Sequence, residues 1–150
     1  MVELSSKLPV IRAMAIRDLD RIVEIDTKVL GQSRSDYWEM KLELLEKQSP
    51  MAPLVAELDG KVIAFVIGYA SGWEYGVPQS IGWIDTIGVD PDYQRKGIAK
   101  LLLTEMVTNL KKVGVEKVYT FVNWRDWRLL QFFDAMGFKK GDMINLELKV

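Results

Sequence analysis

The chain has 150 residues, 49% of them hydrophobic and 27% charged, which suits one soluble domain with a core of its own. Its formal net charge of -1 supplies no basic face for a broad, non-specific hold on nucleic acid. It has no cysteine and no histidine. That excludes disulfides, thiolate and imidazole metal sites, cysteine nucleophiles and a Ser-His-Asp triad, so acid–base chemistry falls to Asp, Glu, Tyr, Lys, the backbone or water.

The opening "MVELSSKLPV" lacks the apolar core of a signal peptide. The most apolar run, "VIAFVIGYASGW" from Val62, is too short to span a bilayer. A cytoplasmic location with no membrane partner is expected. "PVIRAM" (9–14) reads as a short strand. From Ile16 the period turns helical, with Ile16, Leu19, Ile22, Val23 and Leu30 on one side and Gly31 as the stop. A second helix is predicted over 35–47, with Ser35 as N-cap and Pro50 and Pro53 as breakers.

The period then changes. "PLVAEL" and "KVIAFVIGYA" are two strands around Asp59-Gly60, a two-residue hairpin signal. "SIGWIDTIGV" (80–89) is a third strand. Helix follows from Gly97 to Lys112, with the stripe Ile98, Leu102, Met106 and Leu110 and Gly114 just past its end. "EKVYTFV" (116–122) is a strand, "DWRLLQFFDAMG" (126–137) a helix, and "MINLELKV" a closing strand. The order β-α-α-β-β-β-α-β-α-β predicts a mixed α+β sheet flanked by helices. Its strands on either side of the 97–112 helix should be parallel neighbours.

"DPDYQRKGIAKLLL" (90–103) places Gln94, Arg95 and Lys96 at the mouth of that helix, where the backbone dipole is already positive. Free N–H groups at a helix start make a phosphate-sized anion site, and Gly97 lets a ligand approach the backbone. Ala99 is nearly as small. The stretch is neither a Walker A loop nor a dinucleotide G-x-G-x-x-G. Nor is it an EF-hand, since Arg95 and Leu101 stand where glycine and a bidentate glutamate belong.

Gln94-Arg95-Lys96-Gly97-Ile98-Ala99 resembles the Q/R-x-x-G-x-G/A signature of the GNAT superfamily of N-acetyltransferases, with Ala99 at the last position. "FFDAMGF" (132–138) is similar to the family's second signature, and the element order agrees across the chain. The resemblance implies the GNAT acyltransferase fold and acetyl-CoA as acetyl donor, with no metal. It implies that the pyrophosphate rests on the backbone amides of 95–100, Lys100 included. The pantetheine would pair like an extra strand with Ile87, Gly88 and Val89, where "IGV" and "FVN" splay apart. A primary amine attacks the thioester there, and the Val89 N–H is the implied oxyanion donor.

The sequence departs from the family at two places. The tyrosine that in many members protonates the leaving thiolate is Phe133 here, which is left to pack on the pantetheine. The glutamate base of some ribosomal-protein-acetylating relatives falls on Phe121. Loss of a general acid or base costs about 10²–10⁴-fold, which slows the reaction without abolishing it.

Asp85 is then the candidate base. By strand alternation it shares a face with Trp83, Ile87 and Val89, and burial there would raise its pKa. The other reading is a structural carboxylate paired with a lysine or arginine. Tyr119 either replaces the missing acid or packs in the core. Asn123 either bonds the pantetheine amides or makes a turn. Arg125 and Arg128 either meet the adenosine phosphates or form a solvated face, and Asp126 serves as N-cap. Trp73, Glu74 and Tyr75 either cradle a cationic acceptor or decorate a hairpin tip. Tyr37 and Trp38 start the helix that often lines the acceptor groove in this superfamily.

Two functions fit. One is an N-acetyltransferase acting on a small molecule, a peptide N-terminus or a lysine. The other is an acyl-CoA-binding module without efficient catalysis, serving as sensor or subunit. A homodimer is common in the superfamily.

Overall fold

The computed structural model describes residues 8–48, 53–72 and 80–150. Five strands, β1 (Val10–Ala13), β2 (Leu54–Leu58), β3 (Lys61–Gly72), β4 (Ser80–Val89) and β5 (Lys117–Thr120), form one sheet in that order. The first three pairings are antiparallel and β4–β5 is parallel. The helices are α1 (Leu19–Leu30), α2 (Ser35–Gln48), α3 (Ile98–Lys112) and α4 (Trp127–Ala135). Ser35 is the first helical residue rather than the cap, and a 3-10 turn over Ile16–Asp18 precedes α1. The breaker Pro50 lies outside the described residues.

Apolar periodicity decides which helix covers which face. Ile98, Leu102, Leu103, Met106 and Leu110 of α3 pack with Ala64 and Val66 of β3. Ile22 and Ile25 of α1 and Trp38 of α2 pack with Val62, Phe65 and Ile67 on the other side. Covered on both faces, β3 has no polar alternation to show and reads as a continuous apolar run. Between β2 and β3 the register skips Ile63, since Ala56 faces Ala64 and Glu57 faces Val62. That bulge puts Val62 in phase with Phe65. The hairpin turn forms at Asp59 (φ 50°) and Gly60 (φ 77°), the paired left-handed geometry that an Asp-Gly dipeptide favours.

The predicted closing strand is not formed. β5 is the last strand of the sheet, and residues 139–150 run without strand structure. The alternation of "MINLELKV" is that of a strand, but a strand exists only where a ladder of backbone partners receives it. Among the described residues, no segment pairs with the outer edge of β5.

Candidate active site

The site grows from β4. Its pairing with β5 ends at Ile84 opposite Thr120, where the Thr120 hydroxyl donates to the Ile84 carbonyl at 3.0 Å. β4 continues to Val89 against β3 alone, so Ile87 to Val89 face an opened sheet. Gly88 is buried for a packing reason: a Cβ there would lie 2.7 Å from Cζ of Phe65, which is itself held edge-on by Trp38. Gly88→Ala is expected to cost about 1–3 kcal/mol by overpacking. A thermal melt at wild-type temperature would contradict this.

Asp85 sits where the register slips. Ile67 faces Thr86 and Gly68 faces Ile84, which leaves Asp85 as the extra residue of a bulge. The bulge breaks the alternation expected from the sequence and corrects its conclusion. Asp85 is exposed rather than buried among Trp83, Ile84 and Ile87. It accepts an ion pair from Lys41 Nζ of α2 at 2.5 Å. Burial works to lower the Lys41 pKa, but the bond to Asp85 outweighs it and holds the ammonium above its ordinary value. A small cavity of about 160 Å³, lined by Tyr69, Trp83, Ile84, Asp85 and Phe121, opens beside this pair.

Beyond Val89 the chain enters a braced loop. Asp90 is fully buried. Its carboxylate caps the 3-10 turn Pro91–Tyr93 by accepting from Asp92 N at 3.0 Å, and it pairs with Arg21 and with Lys28 Nζ (3.5 Å) of α1. Its own N–H donates to the carbonyl of Ile63 at 2.8 Å. Burial pushes the Asp90 pKa up, but the Asp92 N–H and the Arg21 guanidinium outweigh it and hold the group below the usual carboxylate range.

Asp90→Ala takes from the Arg21 guanidinium, 14% exposed, its buried carboxylate partner and leaves it Glu24 and the Val62 carbonyl. Breaking such a pair costs about 3–5 kcal/mol, or roughly 10 °C in melting temperature for a domain of this size. Asp18, bonded to Arg12, and Asp26, bonded to Arg34, are likewise lowered against the pull of burial. Folded carboxylates that titrate low stabilise fully above the unfolded value of about 3.9, and that stability is lost as pH falls through the folded values. The wild-type melting temperature should therefore hold steady down to about pH 5 and drop below it. The Asp90→Ala variant should start lower and drop less on acidification; a parallel pH profile would contradict the assignment.

The loop delivers the anion cradle. The Gln94 side-chain amide donates to the Val89 carbonyl at 3.1 Å. Arg95 (φ 64°) and Gly97 (φ 77°) turn the chain through left-handed backbone, and Gly97 caps α3. A Cβ at Gly97 would meet nothing within 4 Å, so the backbone there faces open space. The N–H groups of Ile98, Ala99 and Lys100 belong to the first helical turn, which has no partner inside the helix. Arg95, Lys96 and Lys100 are exposed around it, with Lys96 Nζ 5.5 Å from the centre of the Tyr93 ring. The chemistry offered is that of a phosphate nest with mobile cations at its rim.

The remaining predicted residues divide. Phe133 is buried between Phe132 and Phe138, ring centres 5.2 and 5.0 Å away, and forms part of a cleft wall on the far side of β5. Phe121 is exposed, its ring 5.2 Å from that of Trp83. The Tyr119 ring lies against that of Trp83, centres 5.3 Å apart and tilted by 40°. The Asn123 side chain accepts from Arg125 N at 3.0 Å, a turn role, and Asp126 caps α4 by accepting from Leu129 N at 3.2 Å. Arg125 and Arg128 are exposed. Tyr37 is half-buried under the Arg34 guanidinium, 4.5 Å from its ring centre, and Trp38 is core. Trp73, Glu74 and Tyr75 lie outside the described residues.

Sequence reasoning missed Lys41, Arg21 and Lys28. Nothing marks them among the 20 lysines and arginines, because their partners are remote in the chain. Among the described residues, no helix is long and apolar enough to cross a membrane.

The model of the acetyltransferase (GNAT) family matches residues 19–138. An uncharacterized N-acetyltransferase of Methanocaldococcus jannaschii is 24% identical over 140 residues, covering 89% of this chain and 62% of that protein. An acetyltransferase of Pectobacterium atrosepticum is 26% identical over 108 residues, 72% of each chain. The chain thus spans about three-fifths of the first relative's length. Among solved structures, an aminoglycoside N-acetyltransferase in complex with CoA superposes with a TM-score of 0.81 at 17% identity, covering 97% of this chain and 99% of its own. With a family model matched over most of its length and its five-stranded sheet opening at the expected strand pair, the chain belongs to the GNAT family of acetyltransferases.

Proposed function

We propose that this chain transfers an acetyl group from acetyl-CoA to a primary amine, with both substrates bound together. The observation that carries the reading is the opening of β4 from β5 immediately after Ile84, followed along the chain by the open backbone at Gly97. Bound acetyl-CoA supplies an activated thioester carbonyl. The amides of 95–100 hold its pyrophosphate, with Gln94, Arg95 and Lys96 at the rim, and Ile87 to Val89 offer backbone partners to its extended arm. The Val89 N–H is the donor for charge developing on the carbonyl oxygen.

Asp85 receives the acceptor. Its carboxylate already holds one primary ammonium, that of Lys41 at 2.5 Å, which supports its fitness for another. An incoming amine displaces Lys41, gives its proton to Asp85 and attacks. Phe133 has no proton to give, so the departing thiolate takes one from water. The acceptor lies beside α2, near Tyr37, and Trp73 and Tyr75 are the sequence's further candidates for holding it. The working unit in this reading is a homodimer, supported by the edge of β5, unpaired among the described residues, and by the exposed apolar tail.

Thiol release from acetyl-CoA, screened over small amines, peptide N-termini and lysine peptides, tests the reading. Release that requires a primary amine is expected. Tight binding with no release over the whole panel favours the alternative of an acyl-CoA-binding module, for which Phe133 and Phe121 speak.

A further inference from the structure

We infer that Lys41 is a self-acetylation site: the chain transfers one acetyl group to its own Lys41 Nζ, and the modification frees Asp85 for the acceptor. The inference rests on the acetyl-transfer reading and adds a substrate and a regulatory step to it. It begins with the setting of Lys41. Among the lysines whose side chains are described, Lys41 alone is not exposed, and its side chain is 24% accessible. The others are exposed, the usual setting for lysine. Lys41 instead presents a primary amine to the candidate base, with Nζ 2.5 Å from the Asp85 carboxylate.

Its placement follows from α2. Trp38, one turn before Lys41, is fully buried and edge-on to Phe65 of β3. Leu45, one turn after, packs against the same cluster. Residues three and four apart share a helix face, so Lys41 is carried on the face that α2 turns to the sheet. Asp85 directly follows Ile84, the last β4 residue paired with β5. The hollow of about 160 Å³ at Asp85 is walled by Tyr69, Trp83 and Phe121. An acetyl group has three heavy atoms, and at roughly 30 Å³ apiece, the volume of a liquid water, it fits. Amine, base and hollow thus meet where β4 and β5 part. A fold-holding role explains the pair less well, because an ion pair this accessible contributes little to stability.

The step balances. With acetyl-CoA bound, Asp85 takes one proton from the Lys41 ammonium and passes it to water. The bond from Nζ to the acetyl carbon forms, and the carbon–sulfur bond breaks. The second proton leaves the nitrogen and ends, through water, on the coenzyme A thiolate. The product is a neutral amide, which no longer forms an ion pair with Asp85. An incoming amine then meets a vacant carboxylate instead of displacing Lys41. The first acetyl group that each chain transfers therefore activates it.

Intact-mass spectrometry and peptide mapping of the full chain, incubated with acetyl-CoA and no added amine, test this. One acetyl group per chain is expected, on Lys41, appearing at a first-order rate independent of protein concentration. Lys111 and Lys112, exposed at the end of α3, report the uncatalysed background, and Lys41 should outrun them by at least about tenfold. Asp85→Asn should slow the labelling of Lys41 by at least about tenfold. Lys41→Arg keeps the positive charge and should lose the label. For the amine that releases thiol fastest in the screen, KM should be about fivefold lower after full labelling, and Lys41→Arg should show no such change on pre-incubation. Label that is absent from Lys41, no faster there than at Lys111, dependent on protein concentration or faster in Asp85→Asn overturns the inference. An unchanged KM after full labelling overturns its regulatory half. If amines still release thiol while Lys41 stays unlabelled, the acetyl-transfer reading stands and self-acetylation alone falls. If neither Lys41 nor any amine is acetylated, both fall.

Discussion

Gly97→Glu is expected to abolish acetyl-CoA binding while the chain stays folded. Gly97 holds φ 77° at the cap of α3, and the space its side chain would enter is open. A side chain there therefore meets no protein atom and pays only the strain of left-handed backbone, about 1–2 kcal/mol. That space is where the pyrophosphate must lie to reach the first-turn amides. A glutamate both occupies it and answers the helix dipole with its own charge, removing several charge-assisted hydrogen bonds at once. The affinity loss should exceed about a hundredfold by calorimetric titration. Gly97→Ala carries the same backbone strain without the charge and should lose far less. Equal losses in the two variants would trace the effect to strain, and unchanged affinity in Gly97→Glu would remove the cradle from the account.

Asp85→Asn should reduce kcat/KM for the amine by about 10²–10⁴-fold, the range for a general base, and leave acetyl-CoA affinity unchanged. The asparagine is nearly isosteric, but it neither holds an ammonium nor takes its proton. Asp85 lies on the β3–β4 bulge, on a different element from Gly97 at the cap of α3, so the two ligands should report separately. Lys41→Met gives the complementary result. It frees the carboxylate from its 2.5 Å partner and should lower KM for the amine. If Asp85→Asn turned over at the wild-type rate, the carboxylate would be a structural tie between β4 and α2 and nothing more.

Much of this architecture was legible in the sequence because local chemistry dictated it. Asp59-Gly60 could be read as a hairpin because its two residues accept positive φ. The α3 stripe of Ile98, Leu102, Met106 and Leu110 could be read because each of its members is buried. The parallel β4–β5 pair followed from the handedness and length of the connection. The failures share a different cause, since each depends on residues far apart in the chain. The bulge at Asp85 is a property of the β3–β4 register and leaves no mark in "WIDTIGV", so alternation placed that carboxylate in a buried setting. Its partner Lys41 is one lysine of an ordinary amphipathic helix. The Arg21–Asp90 tie joins α1 to the cradle loop across 69 positions. The closing strand failed for the same reason: "MINLELKV" has the right alternation, and pairing is not a property of one segment.

The most direct test of the central claim compares two acetyl donors by calorimetric titration: acetyl-CoA, and acetyl-pantetheine, which lacks the pyrophosphate and nucleotide. If the amides of 95–100 hold the pyrophosphate and Ile87 to Val89 the arm, acetyl-CoA binds one per chain and acetyl-pantetheine at least about a hundredfold more weakly. Equal affinity for the two, or no binding of acetyl-CoA, would contradict it.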